Sequence, residues 1–191
     1  MSERQKSILD AAVRVIARAG VRGLRVEQLA AEAGISTALI YYHFGDRAGL
    51  LRRTLEHINE DAAGYTQQAA AKATDARGEL ELLLLLELQD TESVRTNSTA
   101  WGELRASAVF NEDLREPLAE STRVWVDEVA EVIRRAQASG SASPLADPLD
   151  AAERLTCLVE GLSERWLSGS MTIARARKLL RGAIAAELAE R

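Results

Sequence analysis

The sequence has few of the residues from which catalytic and metal sites are usually built. Its 191 residues include one cysteine and two histidines, and aromatic residues make up 4% of the chain. The single cysteine, Cys157, excludes an internal disulfide and any metal site made from several cysteines, which fits a reducing compartment. In an apolar helical context such a cysteine is expected to be a small core residue. The composition predicts neither a bound metal nor a cofactor.

Arrangements of residues typical of catalysis are also missing. The histidines are His43 and His57, and the phrase GLSER does not match the G-x-S-x-G nucleophile elbow. The sequence shows neither a Gly-rich phosphate loop nor paired spacing of metal ligands. An enzyme is therefore the least favoured class, and a binding protein is expected.

Long apolar runs are absent. The longest leucine run, Leu82 to Leu86, is far shorter than the roughly 20 residues that cross a bilayer. The N-terminus shows no charged segment followed by an apolar one, so no signal peptide is predicted. Because 47% of the residues are hydrophobic, we expect a folded, soluble, cytoplasmic protein with no membrane partner.

Signals for β-strands are scarce, and helical periodicity extends over most of the chain. Only three prolines occur, and no alternating apolar run is bounded by turn residues, which predicts an all-α fold. The first helix is expected to begin at SERQ, where Ser2 and Gln5 can form a capping box, and to end at Gly20. The stretch ELELLLLLELQ is apolar nearly all round, as in a helix buried inside a bundle. Later helices are predicted at about 46–74, 76–90, 92–110, 113–138, 149–168 and 172–189.

Two short helices are predicted on either side of a tight turn near residue 34. VEQLAAEA forms the first and TALIYYHF the second, with Gly34 ending one helix and Ser36 capping the next. This is the pattern of a helix-turn-helix, whose second helix enters the major groove of DNA. Burial of Ile35, Ile40 and Phe44 would leave the polar side chains of the second helix free. The alternative is an amphipathic helix pair whose histidine is satisfied inside the protein.

Charge is distributed unevenly along the chain. Residues 1–53 hold nine Lys/Arg and five Asp/Glu, a net of +4, whereas residues 54–191 hold 15 and 24, a net of −9. A basic segment on an acidic remainder is typical of a polyanion-binding surface, although it is also compatible with an ordinary solvated one. The basic residues are mostly arginine, which can bind phosphate with two nitrogens at once.

The run LAAEAGISTALIYYHFGDRAGLL resembles the DNA-binding signature of the tetracycline-repressor (TetR) family of bacterial regulators. The matching residues are Ala30, Gly34, Ile35, Ser36, Ile40, Tyr41, His43, Phe44 and Leu50. The likeness covers roughly residues 6–52, and the later helices match the family in number, length and order. It implies a DNA-binding domain of three helices, residues 1–46, followed by an all-α effector-binding and dimerisation domain, residues 47–191.

The resemblance also implies which residues contact DNA. By position, Tyr41, His43 and Arg47 would bind phosphates, while side chains at the start and on the outer face of the second short helix would lie in the groove. The full set expected at the DNA is Arg25, Ser36, Thr37, Ala38, Tyr41, Tyr42, His43 and Arg47.

Three positions depart from the family pattern. Arg25 stands where a Thr or Ser cap is common, so the helix after it is expected to be poorly capped and Arg25 to reach a phosphate or the minor groove. Leu39 stands where a small residue or Thr is common. Gly49 replaces a commoner Ala at a cost of about 1 kcal/mol, which suggests a looser joint between the two domains.

The C-terminal part resembles the branch of the family that contains choline-responsive repressors, through the phrase CLVEGLSERWLSG. The family dimerises through its last two long helices, and apolar side chains repeat along both. The residues expected at the dimer interface are Ala152, Leu155, Val159, Leu162, Trp166, Leu180, Ala183 and Ile184. A purely intrachain core is the alternative.

Bulky aromatic residues fall on the helices that enclose an effector pocket in this family. They are Tyr65, Trp101, Phe110 and Trp125. Together they suggest a cavity for a flat or cationic organic molecule, because aromatic faces attract cations and this part of the chain is acidic. The alternative is that they simply fill the core. The sequence thus predicts a homodimeric, ligand-responsive repressor bound to double-stranded DNA, or a constitutive DNA-binding protein without an effector.

Overall fold

The computed structural model describes residues 1–70 and 72–189, and for residues 65–70 it describes the backbone alone. Every regular element within these ranges is helical, which confirms the predicted all-α class. The helices are α1 (Glu3–Gly23), α2 (Val26–Ala33), α3 (Thr37–Phe44), α4 (Arg47–Ala70), α5 (Ala76–Leu86), α6 (Glu92–Ala108), α7 (Arg115–Ala138), α8 (Pro148–Leu167) and α9 (Ile173–Glu187). No described helix combines the length and apolar character needed to cross a bilayer.

Local capping signals place the first three helices where the sequence predicts them. The hydroxyl of Ser2 accepts a hydrogen bond from the Gln5 amide, and the Gln5 side chain accepts one from the Ser2 amide, which completes the capping box. Gly34 adopts the left-handed conformation with φ 66° and ends α2. Ser36 caps α3 by accepting from the Leu39 amide at 3.3 Å. Each bond spans only a few residues, so the sequence alone is enough to predict it.

The end of α1 differs from the prediction. Gly20 leaves the helical conformation as expected, but one more helical turn follows it and ends at Gly23. The helix is therefore bent at Gly20 rather than terminated there.

Gly49 also corrects an expectation. A Cβ at this position would collide with the backbone carbonyl of Phe44, so alanine does not fit here without a shift of the chain. The Gly49 amide also donates to Oδ1 of Asp46 at 2.7 Å, which caps the start of α4. Close packing therefore accounts for glycine at this position, and the looser joint between the two domains stays a prediction.

The described chain divides into two compact units. The head unit comprises Met1–Asp61 and Arg95–Ser121, and the body unit comprises Ala62–Val94 and the chain from Thr122 onward. Each has its own apolar core. In the head unit α1 contributes the largest share, with α2, α3, α4, α6 and the start of α7 packed around it. The domain boundary predicted between residues 46 and 47 stays a prediction.

The later helices begin and end within a few residues of the predicted bounds. The largest differences are α4, predicted to reach residue 74, and α5, predicted to reach residue 90. Leu80, Leu83, Leu84 and Leu85 of α5 are buried, as its apolar composition indicates. A 3-10 turn, Glu112–Leu114, precedes α7.

In the body unit α8 packs against α9. Asp147 caps α8 and Pro148 occupies its first turn, where a missing N–H costs nothing. Nε and Nη2 of Arg154 donate to the two carboxylate oxygens of Glu187 at 2.7 and 2.8 Å, which joins the two helices.

Candidate nucleic-acid interface

Helix α3 is held by its apolar side chains and presents its polar ones to solvent. Ile40 is 1% exposed and Phe44 is 8% exposed, and both belong to the core of the head unit. Tyr41 and Tyr42 are by contrast 47% and 80% exposed. Aromatic side chains normally bury most of their area, so two adjacent exposed tyrosines indicate a surface that meets a partner.

The start of α3 has the composition expected of a surface that approaches a base pair closely. Ser36 and Ala38 are exposed and Thr37 is half-buried. The Ser36 oxygen is already engaged as the helix cap, whereas the small side chain of Ala38 leaves room beside the helix. Thr37 and Ala38 offer a hydroxyl and methyl groups, which suit hydrogen bonds and apolar contacts at base edges.

His43 is half-buried between two aromatic neighbours on α3. Its ring meets Tyr42 edge-on at 5.3 Å between centroids and Phe44 at 6.1 Å. These contacts restrict the orientation of the imidazole, which places a possible phosphate donor beside the exposed tyrosines.

Two arginines lie at helix starts near α3. Arg25 occupies the N-cap position of α2, and its side chain makes no capping bond, as the sequence predicts. Nη2 of Arg47, the first residue of α4, donates to the backbone carbonyl of Val21 at 2.5 Å. The Arg47 side chain is therefore anchored on α1 while the residue remains exposed. The DNA-contacting roles of the eight predicted residues stay predictions.

An ion-pair cluster that the sequence analysis did not find braces α1 against α2. Nη2 of Arg18 lies 2.7 Å and Nε of Arg14 lies 3.1 Å from the carboxylate of Glu32. The hydrogen bond from Arg18, supported by Arg14, lowers the pKa of Glu32 below its ordinary value. The spacing of the two arginines on one face of α1 was the available signal, but nothing local identified their partner.

A buried histidine joins α1 to α4. His57 is 2% exposed, and its Nε2 is hydrogen-bonded to Oδ1 of Asp10 at 2.6 Å, with Oδ2 of Asp61 at 3.8 Å. These three side chains could hold a metal ion by distance. However, Nδ1 of His57 is buried without a hydrogen-bond partner, whereas a metal-bound histidine normally donates its second N–H. The arrangement favours a structural hydrogen bond.

Comparison with known proteins identifies the family. Residues 8–54 match the model of the bacterial regulatory proteins of the tetR family, and residues 76–189 match the C-terminal model of the BetI-type transcriptional repressors. The chain belongs to the TetR family. It is therefore a DNA-binding transcriptional regulator rather than an enzyme, and the likeness expected for its C-terminal helices is confirmed.

Relatives of known name agree with this assignment. The HTH-type transcriptional regulator BetI of Burkholderia mallei is 30% identical over 173 residues, which cover 88% of this chain and 82% of the relative. A TetR-family regulator from Rhodococcus sp. has a TM-score of 0.93 and 48% identity, covering 99% of this chain and all of the other. A regulator from Saccharomonospora viridis, solved in complex with choline, has a TM-score of 0.87 and 28% identity, with full coverage of both chains.

The four predicted effector-binding aromatics are distributed over the two units of the chain. Trp101 and Phe110 lie in the head unit, Trp125 lies in the body unit, and the side chain of Tyr65 is outside the described part of the chain. Trp125 is half-buried against the body core. Phe110 is 79% exposed, so it does not fill a core. The assignment of these residues to a ligand stays a prediction for this TetR-family chain.

Arginines already lie against two of these rings. The guanidinium of Arg105 lies 4.3 Å from the centroid of Trp101, and that of Arg22 lies 5.8 Å from the centroid of Phe110. Trp101 also donates its indole N–H to Oδ1 of Asn59 at 3.2 Å. The chain's own arginines thus supply the cations that contact these two aromatic faces.

The residues predicted at the dimer interface are mostly buried inside one chain. Seven of the eight are at most 5% exposed in the body core, and the eighth, Ala183, packs against it. The apolar repeat of α8 and α9 therefore fills the core of the chain itself. A dimer surface on these helices would have to use their outer faces.

The expectation that Cys157 is a core residue is wrong, because its side chain is exposed.

Proposed function

We propose that this chain acts as a homodimeric repressor in the cytoplasm and binds a pseudo-palindromic operator through α3 and the start of α4. The observation that carries this proposal is the pair of exposed tyrosines on α3, Tyr41 and Tyr42, on a helix whose apolar residues are buried. In the proposed docking α3 lies in the major groove, Tyr41, His43 and Arg47 contact phosphates, and side chains at the helix start contact base edges.

The outer faces of α8 and α9 supply the proposed dimer surface. Gly161 and Gly182 lie in the middle of these helices, and an added Cβ at either would meet nothing within 4 Å in the same chain. Glycine inside a helix costs about 1 kcal/mol relative to alanine, and no contact within the described chain explains why glycine stands at these two positions. Close approach of α8 and α9 from a second copy of the chain would explain it, because a larger side chain would block that approach.

Charge supports the same arrangement. Apart from its two arginines, the charged residues of α8 are acidic, and Glu164 is among the exposed ones. Those of α9 are basic apart from Glu187, with Arg175, Lys178 and Arg181 exposed. In a two-fold bundle that places α8 of one protomer against α9 of the other, these charges would attract each other.

For the effector we propose a small cationic molecule of the quaternary ammonium type. The Saccharomonospora viridis regulator, which spans the same length, is described in complex with choline. A net charge of −9 on residues 54–191 favours a cation over an anion. A half-buried tryptophan such as Trp125 is the kind of side chain that recognises quaternary ammonium groups.

Selection of bound sequences from random duplex DNA tests the operator proposal. We expect enrichment of a pseudo-palindrome whose half-sites lie about 34 to 36 Å apart, or a multiple of that spacing, because two heads of one dimer bind together. An asymmetric site, or no enrichment, would contradict it.

Operator release is then measured with choline and with 3,3-dimethyl-1-butanol, the neutral carbon analogue of choline. Release by choline alone supports the cationic effector, equal release by both compounds contradicts it, and release by neither favours a constitutive DNA-binding protein.

A further inference from the structure

Two side chains from distant helices hold the residue that follows the bend in α1. Gly20 has φ 72° and ψ 169°, a backbone conformation essentially restricted to glycine. The amide of the next residue, Val21, donates to Oε2 of Glu103 on α6 at 3.4 Å. The carbonyl of Val21 accepts from Nη2 of Arg47 at 2.5 Å. One residue of α1 thus connects α6 with the start of α4.

The carboxylate of Glu103, an exposed residue, lies directly beside this bend. A Cβ built on Gly20 would lie 2.8 Å from Oε2 of Glu103, closer than real Cβ contacts occur. A side chain at position 20 would therefore displace the flexible end of Glu103 from its place beside Val21. Val21 itself is only 3% exposed, so its position is determined by its neighbours and not by solvent.

The bend also forms one wall of an open cleft within the head unit. The cleft has a volume of about 760 Å³, and Glu103 and Arg47 both line it, together with Arg22 and Phe110. Glu103 thus lies on α6 within the same small region as the arginine that is proposed to contact phosphate.

Anchoring of Arg47 matters for DNA binding because an ordered arginine loses less entropy when it meets a phosphate. A guanidinium has five N–H donors, and the bond to Val21 engages one of its nitrogens. The remaining donors can serve a phosphate oxygen while the side chain stays on α1.

We propose that Glu103 is a positioning residue for operator binding: it holds Val21 at the Gly20 bend and so fixes the carbonyl that anchors Arg47. This inference rests on the proposed phosphate contact of Arg47. It also gives α6 a route to the DNA, since Trp101 lies on the same helix two residues earlier. A displacement of α6 would draw Glu103 away from Val21 and release Arg47.

The substitution Glu103→Leu removes both the charge and the oxygen that accepts from the Val21 amide, whereas Glu103→Gln removes the charge and keeps an acceptor oxygen. Removal of a negative charge near DNA should by itself tighten binding, so Glu103→Gln should bind as the original protein does, or slightly tighter. If Glu103 positions Arg47, Glu103→Leu should instead bind the selected duplex about threefold to tenfold more weakly. Glu116→Leu is the matched control, because Glu116 is an exposed glutamate of the same unit. It should bind as the original protein does, or slightly tighter.

A double-mutant cycle with Arg47→Ala locates the effect. We expect Glu103→Leu to weaken binding only when Arg47 is present, and to reduce the salt slope towards that of Arg47→Ala, by up to about 1. Melting temperatures of all four proteins in the absence of DNA show whether folding has changed. A general loss of stability should weaken binding to the same extent with and without Arg47, so it can be told apart from a positioning effect.

The outcomes separate the two proposals. If Arg47→Ala weakens binding and Glu103→Leu does not, the positioning role is refuted while the phosphate contact stands. Equal weakening by Glu103→Leu with and without Arg47 also refutes it. If Arg47→Ala changes neither affinity nor salt slope, the phosphate contact itself is wrong, and weaker binding by Glu103→Leu then has another cause.

Discussion

Replacement of Gly161 and Gly182 by alanine should change folding and dimerisation in opposite directions. Both glycines lie inside helices with nothing within 4 Å of an added Cβ, so each alanine should stabilise the isolated chain by about 1 kcal/mol. At a close helix contact between protomers, an added methyl group should cost about 1 kcal/mol or more through overpacking. Two-fold symmetry places every substitution twice in the interface.

The expected loss of dimer stability is therefore about 2 kcal/mol for one substitution, which corresponds to a dissociation constant roughly 30-fold higher. Sedimentation equilibrium over a range of concentrations measures this constant, and urea unfolding at low concentration measures the stability of the monomer. The sequence supplies a control in Gly64 of α4, whose added Cβ also meets nothing within 4 Å.

Gly64→Ala should show the gain in folding stability without the loss of dimerisation. If all three alanine variants are more stable and dimerise as the original protein does, the outer faces of α8 and α9 do not form the dimer surface. The reasoning from unfilled helix positions would then be refuted.

Three further predictions concern the head unit. Tyr42→Ala should relax base preference at particular operator positions by about 1 to 3 kcal/mol, whereas Arg47→Ala should weaken all sequences alike; quantitative selection with each variant distinguishes these. In urea titrations Gly20→Ala should destabilise the chain by about 1 to 3 kcal/mol, because φ 72° with ψ 169° is essentially restricted to glycine. Gly34→Ala should cost less, about 1 kcal/mol, because Gly34 has the milder left-handed helical conformation and open space beside it. Glu32→Gln should lower stability by up to about 1 kcal/mol near neutral pH.

The pH dependence of Glu32→Gln follows from the sign of the pKa shift. The pKa of Glu32 is lower in the folded chain, so its ion pairs stabilise the fold fully above the ordinary value of 4.5. This stabilisation disappears as pH falls through the folded pKa. Chemical unfolding of both proteins should therefore differ near neutral pH and converge in strong acid. A constant difference at all pH values would show that the carboxylate charge is not the cause.

The sequence by itself determined the helix-turn-helix. The signals are short hydrogen bonds within three or four residues, as in the Ser2 and Gln5 capping box, and glycines that must adopt positive φ, as at Gly34. Burial of Ile40 and Phe44 followed from helical periodicity. Such features depend on neighbours along the chain, so they can be predicted without knowledge of the tertiary contacts.

Only the tertiary structure decided what the apolar stripes of α8 and α9 pack against. Periodicity shows that the helix face with Leu155 and Val159 is buried. The apolar pattern does not show whether that face packs against the same chain or against a second copy. The contacts of Gly20 and Val21 with Glu103 were also out of reach, because more than 80 residues separate them along the chain. Contacts between distant residues depend on how helices pack, and no local pattern encodes which polar side chain will meet which backbone group.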